Sequence, residues 1–524
     1  VAYSQLPRSA RADRHRRAAQ WIEALSPDRA EDRAELLAHH YQAALEFARA
    51  AGQDTALLAE RARLALREAG DRALDLNAFA AAARWYAAAL ELWPPTDPDR
   101  PPLLFRLGRA RYYADEAGGD VLAEARDQLL AIGGFETAAE AEALLGHLAW
   151  SQGHSERAGE HLWRAAALID AREPTRAKAF VQAMLSGFLG HSGQLQEAIR
   201  VGRQALGTAE ALGLEESRAR ALGYIGGARV AGGDLGGLAD VERAVTIAVK
   251  ANSPYSAQAH GFLASLLIAL GDLAGGFAAQ AAGRQAAERF GLTTELRWLA
   301  TEQVVEEYLR GRWAAALSGA DQILARSHPP SGTLCCRLVR GRIRLARGDL
   351  AGALADATGE VELAETLSNE VLQPALALRA HVLLAAGRIQ EAGTAASQLL
   401  AVLAERGVLV SNPDWSGELA VVLHTLGRGA ELLELVGRLA TPTPWLQAAV
   451  AIARGGFDRA AELYAQIGSL PDEAFARLQA AKQLLAAGRR TEGTAHLQRV
   501  VAFYREVQAS SYLREAEMLL AATA

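Results

Sequence analysis

The chain has 524 residues, 50% hydrophobic and 22% charged, which is enough apolar surface for a large core and too much for intrinsic disorder. Lys and Arg number 55 against 61 Asp and Glu, and the resulting net charge of −6 excludes the basic footprint of a nucleic-acid or anionic-membrane binder. More than one residue in five is Ala, the best helix former, with only 16 Pro and 6% aromatics, so the chain is expected to be entirely helical.

The N-terminal stretch Val1 to Arg17 is basic and is not followed by the apolar run of a signal peptide. It begins with Val inside a helix-rich segment, so we expect a piece of a longer polypeptide. Arg8, Arg11, Arg14, Arg16 and Arg17, with Asp13 among them, read as a solvated helix face. His39 and His40 are neighbours on one helix and are expected to point different ways, sharing no metal. Residues 1–60 form an N-terminal helical linker or cap.

A repeat begins at Asn77. In Asn77-x-Phe79-x-x-Ala82-x-x-x-Tyr86-x-x-Ala89 a turn residue is followed by side chains that the 3.6 period puts on one helical face. Upstream, Leu66, Ala69, Gly70 and Ala73 supply the matching face of a preceding helix, and Pro94 stops the second one. Helix, tight turn, helix is the tetratricopeptide pattern. The frame recurs at Gly118, Gly153, Gly193, Gly233, Gly271, Gly311, Gly348, Gly387, Gly427, Gly456 and Gly488. The turn demands a left-handed residue, which Gly or Asn adopts cheaply, and a following Asp can cap the next helix. Small residues at Ala82, Ala89, Ala158, Ala165, Ala198 and Ala205 let paired helices approach.

From Gly153 to Gly427 the turns stand 37 to 40 residues apart, longer than the usual period of about 34. Loops or bends are expected around Pro94-Pro95 to Pro101-Pro102 and at Ser327-His328-Pro329-Pro330. The fold expected is an all-α, right-handed superhelical solenoid of about twelve such hairpins, each touching only its neighbours. It divides into a 61–440 array of long repeats and a 441–524 segment of short repeats, with a final helix, Ser510 to Ala522, as cap.

No Gly-Lys phosphate loop is available, because the only lysines, Lys178, Lys250 and Lys482, follow Ala177, Val249 and Ala481. No H-E-x-x-H, C-x-x-C or G-x-S-x-G motif occurs, and Gly190-His191-Ser192-Gly193 reads as a turn. His147, His154 and His161 stand seven apart, but Gly153 breaks their helix, so they read as solvated or hydrogen-bonding side chains. Adjacent Cys335 and Cys336 read as small buried apolar residues, and the lack of a disulfide framework suits a reducing cytoplasm. The longest uncharged stretch, 251–271, leaves only nine compact apolar residues, Phe262 to Leu270, too few to span a bilayer. We therefore expect no catalytic residue, no metal, no cofactor and no nucleic-acid partner for this chain.

In a solenoid the first helix of each hairpin lines the concave surface. The residues expected there as ligand contacts are His147, Trp150, Phe180, His191, Trp298, Tyr308, Arg342 and His381. Gly187, Gly223, Gly227 and Gly261 would leave room for close approach of a peptide, a protein segment or a small effector. The competing reading is that these aromatics fill core and the glycines serve helix packing.

The opening Ala2-Tyr3-Ser4-Gln5-Leu6-Pro7-Arg8 through Trp21-Ile22-Glu23, the segment Ala34-Glu35-Leu36-Leu37-Ala38-His39-His40-Tyr41, and Gly456-Phe457-Asp458-Arg459-Ala460-Ala461-Glu462-Leu463-Tyr464 carry a resemblance. The chain resembles the tetratricopeptide tail of large bacterial proteins that combine a class III adenylate/guanylate cyclase domain with a AAA/STAND-type ATPase. The resemblance implies a cytoplasmic, non-catalytic sensor or scaffold that binds a protein partner or its own upstream domains. ATP and a divalent metal would belong to those upstream domains, and no Walker or cyclase residue carries over to this sequence. The alternative is a fragment of an ATPase-type transcriptional regulator, although the repeat running to the C-terminus leaves no room there for a helix-turn-helix. A terpene synthase-like enzyme is disfavoured by the absence of a D-D-x-x-D cluster.

Overall fold

The computed structural model describes residues 5–25, 33–325, 330–364, 369–406, 414–438 and 442–522. Among them every regular element is a helix, 27 in all. Helices α1 (Arg8–Ala24) and α2 (Ala34–Ala50) precede twelve hairpins. These are α3 and α4 (Ala56–Asp75, Phe79–Leu92), α5 and α6 (Arg100–Asp115, Gly119–Ala131), α7 and α8 (Phe135–Ser151, Ser155–Ile169), and α9 and α10 (Arg176–His191, Leu195–Leu212). Next come α11 and α12 (Glu215–Ala231, Gly237–Lys250), α13 and α14 (Tyr255–Ala269, Leu273–Phe290), α15 and α16 (Thr293–Leu309, Trp313–Leu324), and α17 and α18 (Pro330–Arg347, Leu350–Ala364). The last four are α19 and α20 (Asn369–Ala385, Ile389–Arg406), α21 and α22 (Ser416–Thr425, Gly429–Gly437), α23 and α24 (Pro444–Ala453, Phe457–Ile467), and α25 and α26 (Leu470–Ala486, Arg490–Glu506), followed by a single α27 (Ser510–Ala521). The all-α, tetratricopeptide-like hairpin array expected from the sequence is the fold.

The turn residues behave as the frame requires. At Gly193 (φ +79°) the chain leaves α9 left-handed, and the Gln194 N–H donates back to the Leu189 carbonyl at 2.9 Å, satisfying the helix end. The Asp after the turn caps where expected: Asp272 accepts from Gly275 N and Asp349 from Gly352 N, both at 2.9 Å. One turn is displaced. The left-handed residue between α23 and α24 is Gly455 (φ +80°), and Gly456, expected there, has ordinary helical-side φ −86°. Left-handed residues also join successive hairpins, at Gly133, Gly213, Asn252, Gly468 and Gln508.

The small-residue positions hold. Ala82, Ala89, Ala158, Ala165, Ala198 and Ala205 have no exposed surface. The Pro94 bend is a turn before Arg100, but Pro101 and Pro102 belong to the first turn of α5, where a missing N–H costs nothing. The second expected loop, at 327–329, lies outside the described residues, and Pro330 opens α17.

The chain forms two compact units, residues 1–148, 156–185 and 287–294 in one and 149–155, 186–286 and 295–524 in the other. The core of the first runs from Ala19 to Leu148 and includes a buried Glu142 carboxylate that meets His161 Nδ1 at 2.5 Å and Arg126 Nη1 at 3.2 Å. The core of the second runs from Leu273 to Ala516 around Trp415 and Trp445, each 1% exposed.

Within the second unit the expectation that each hairpin touches only its neighbours is overturned. Helix α27 packs on α17, where Ser510 Oγ donates to the Arg347 carbonyl at 3.0 Å. The Trp445 indole N–H donates to the Ile268 carbonyl, 177 residues away, at 2.8 Å, and Phe503 meets Trp313 edge to face at 5.9 Å. Helices α21 to α24 are only 9 to 11 residues long, against 12 to 18 for α13 to α20, and this shortened stretch brings the chain back onto the hairpins before it. No helix among the described residues is long and apolar enough to cross a membrane.

Candidate functional site

The residues expected on the first-helix face fall into three places. Two lie in the first unit: His147 on α7, whose Nδ1 bonds the Tyr112 hydroxyl at 3.0 Å, and Phe180 on α9, half-buried against the core. Both act as packing and hydrogen-bonding groups of that unit.

The second place is an aromatic strip in the second unit. Trp150 lies edge to face with Phe188 (centroids 5.7 Å) and 5.5 Å from His191, which meets Phe262 at 5.8 Å, and Phe262 meets Tyr224 at 5.9 Å. His191 is held by its Nδ1 contact to the Gly187 carbonyl at 2.8 Å. Trp298 on α15 extends the strip and is 37% exposed, whereas Trp150, Phe188, His191 and Phe262 are half-buried.

The glycines of these helices do not wait for a ligand. A Cβ on Gly187 would stand 2.7 Å from the Tyr224 ring, one on Gly227 2.6 Å from Phe262, one on Gly223 2.7 Å from the Tyr255 hydroxyl, and one on Gly261 would collide with Trp298. Helices α11, α13 and α15 therefore each lay an aromatic ring over a glycine of the first helix before it. The packing reading of the glycines is the one realised, and the rings keep an outer face in solvent. Sequence reasoning missed Tyr224 and Phe262, although both stand nine residues before a turn glycine, Gly233 and Gly271.

The third place is a small cavity of about 60 Å³ at the centre of the closed C-terminal portion, lined by Tyr308, Arg342, His381, Glu418, Asp472, Tyr464, Tyr504 and Tyr512 among others. Arg342 does not face an open groove. Its guanidinium forks onto Glu418 (Nε to Oε1 3.0 Å, Nη2 to Oε2 3.2 Å) and donates to Asp414 Oδ2 at 2.8 Å. The Tyr308 ring stacks on Trp313, and the His381 ring lies 5.5 Å from Phe475. Burial, then the nearby Arg342 charge, lowers His381 to about 4, so its imidazole is neutral. Burial raises Glu418 against the pull of Arg342 and pushes Asp472 up to about 6. The cause of this difference from expectation is the return of α21 to α27, which fills the face that Tyr308, Arg342 and His381 share.

Beside this cluster, burial pushes the Glu302 carboxyl up to about 7, with the Asp414 charge adding to it, and Gln280 Nε2 donates to it at 3.3 Å. A raised folded-state value means the folded chain holds a proton that the unfolded chain releases between pH 4.5 and 7, so Glu302 lowers stability as pH rises through that window. Glu302→Gln is expected to melt above the parent at pH 8 by an equivalent of about 1–3 kcal/mol, the advantage fading by pH 5. Melting curves at both pH values check this, and a pH-independent difference would contradict it.

The other expectations resolve simply. His154 is exposed, Cys336 is buried and Cys335 half-buried, and the Arg8 to Arg17 group is a largely exposed helix face with Arg16 paired to Asp13. His39 and His40 do not part as expected. A third ring, His15 from α1, completes a triangle with them, and one ligand nitrogen from each of the three lies within 4.8 Å of the others. Adjacent positions on a helix diverge at Cβ, but imidazoles are long enough to turn back to a group on the facing helix.

No family model matches this chain. No curated protein matches it in sequence. Among solved structures it is similar to yeast Tom70, at 14% identity over 88% of this chain and 96% of that one, with a TM-score of 0.31. It is also similar to Scc4 in complex with Scc2n, at 11% identity over 96% and 98% with a TM-score of 0.48, and to a Rap protein complexed with competence and sporulation factor, at 12% over 86% and 99% with a TM-score of 0.31.

Proposed function

We propose that this chain is a non-catalytic binding array that takes a protein segment along the strip formed by Trp150, Phe188, His191, Phe262 and Trp298. The observation that carries this reading is the strip itself: five aromatic rings on four first helices, α7, α9, α13 and α15, each seated on a rigid helix and partly exposed. Rigid aromatics lose little entropy on contact and supply most of the energy where proteins meet. Farther along the chain the first helices α13 and α19 already accept helices of the chain's own C-terminal segment, through Trp445 and Phe475. An amphipathic protein segment is therefore the occupant that the strip suits. The test is whether peptides selected for binding to the chain lose affinity when Trp150 and Trp298 are truncated.

The finer part of the proposal rests on the family resemblance: the segment belongs to an ATPase or nucleotide cyclase module of the same cytoplasmic polypeptide, whose activity the array restrains or releases. Such regulation requires the segment to bind two arrangements of the polypeptide with different affinity. Coding sequence upstream of Val1 with a Gly-rich Lys/Ser loop and a cyclase domain would support it, and a start codon at Val1 would remove it.

A further inference from the structure

We infer that the α1/α2 hairpin carries a zinc site, with His15, His39 and His40 as its three ligands and a fourth position open to water. His15 Nδ1 and His40 Nδ1 stand 2.9 Å apart, and the three ring centroids are 5.2 to 6.0 Å from one another. On a tetrahedral zinc with bonds of about 2.0–2.1 Å, ligand nitrogens lie about 3.4 Å apart. The nitrogens here, all within 4.8 Å of one another, reach that spacing by side-chain rotation alone.

The surroundings fit a bound ion. The Phe47 ring stacks on His15 at 5.8 Å and fixes its plane from behind, and the Arg11 guanidinium that caps Phe47 has its Nε tied to the Leu6 carbonyl at 2.9 Å. His15 and His40 are half-buried and His39 is exposed, which leaves the ion an entry path and an open coordination position. A hydrogen bond between two imidazoles accounts for His15 and His40 alone; it gives no reason for the exposed His39 ring to turn to the same point. Three neutral imidazoles without a thiolate suit zinc in tetrahedral geometry, which copper(II) and nickel(II), preferring tetragonal sites, fit less well. Two ligands come from α2 and one from α1, so the ion would pin the hairpin together. The site is invisible as a motif because 23 residues separate His15 from the pair.

The test uses the full chain, untagged and stripped of metal, titrated with Zn²⁺ by calorimetry and with Co²⁺ by absorption. The expected result is one equivalent of Zn²⁺ with micromolar or tighter affinity, a tetrahedral Co²⁺ spectrum, and a higher melting temperature with Zn²⁺. His39→Ala removes an exposed ring and leaves the fold intact; it should weaken binding about 100-fold or more, since even an outer partner of a ligand is worth 10–100-fold. His15→Ala should do the same, and His147→Ala should change nothing. Absence of a saturable single equivalent, or equal affinity in the parent, His39→Ala and His15→Ala, would overturn the site.

Discussion

Arg342→Ala should destabilise the second unit by about 3–5 kcal/mol, the cost of breaking a buried ion cluster from one side. The Arg342 side chain is 11% exposed, and its partners Asp414 and Glu418 are 18% and 12% exposed, so truncation strands two carboxylates where water hardly reaches. Asp414 Oδ1 already has no partner, which leaves the cluster no slack. The loss should appear as a melting transition lowered by several degrees and as easier proteolysis of the C-terminal helices, because Arg342 on α17 ties α21 to the earlier hairpins across 72 and 76 residues. Arg342→Met combined with Asp414→Asn and Glu418→Leu should recover most of the loss, since a buried ion cluster is roughly replaceable by apolar groups of similar volume. An Arg342→Ala chain as stable as the parent would mean that the C-terminal helices do not close on α17 as described.

Gly226→Leu should be comparably damaging for a different reason. Its Cβ would stand 2.5 Å from the Gly237 carbonyl oxygen and 2.7 Å from Val241 Cγ2, so the obstacle is partly backbone and cannot rotate away. Overpacking costs about 1–3 kcal/mol where side chains can shift, and here α11 and α12 must separate. Gly226→Ala already places that Cβ against the Gly237 carbonyl, so it should cost about 1–3 kcal/mol by itself, with Gly226→Leu costing more. Gly207 on the exposed side of α10 is the control: nothing lies within 4 Å of its Cβ position, so Gly207→Ala should stabilise by up to about 1 kcal/mol. Calorimetric melts of the three variants separate these outcomes.

Local features were legible in the sequence and distant contacts were not. Asn77, Gly193 and Gly271 announce their turns because a left-handed residue is a local demand, and Ala82 or Ala198 marks a helix contact because the 3.6 period is local too. The displaced turn at Gly455 reflects two adjacent glycines, either of which satisfies the frame by composition. Trp150 and His191 are ring neighbours and Trp298 packs over Gly261, whereas Tyr308, Arg342 and His381, expected on an open groove, share a face that the C-terminal helices fill. Nothing in the turn frame tells Arg342 that its carboxylates lie 72 and 76 residues on, although the shortened turn spacing after Gly427 was a hint. The convergence of His15 with His39 and His40 is hidden for the same reason, since it depends on how α1 lies against α2.

The aromatic strip is the centre of the functional account, and peptide selection tests it most directly. Peptides chosen from a random library for binding to the full chain should lose about tenfold or more in affinity for Trp298→Ala and for Trp150→Ala, as buried aromatic anchors do. They should bind Trp163→Ala as they bind the parent, because Trp163, 48% exposed on α8, lies outside the strip. Affinities unchanged by both Trp298→Ala and Trp150→Ala would contradict the account.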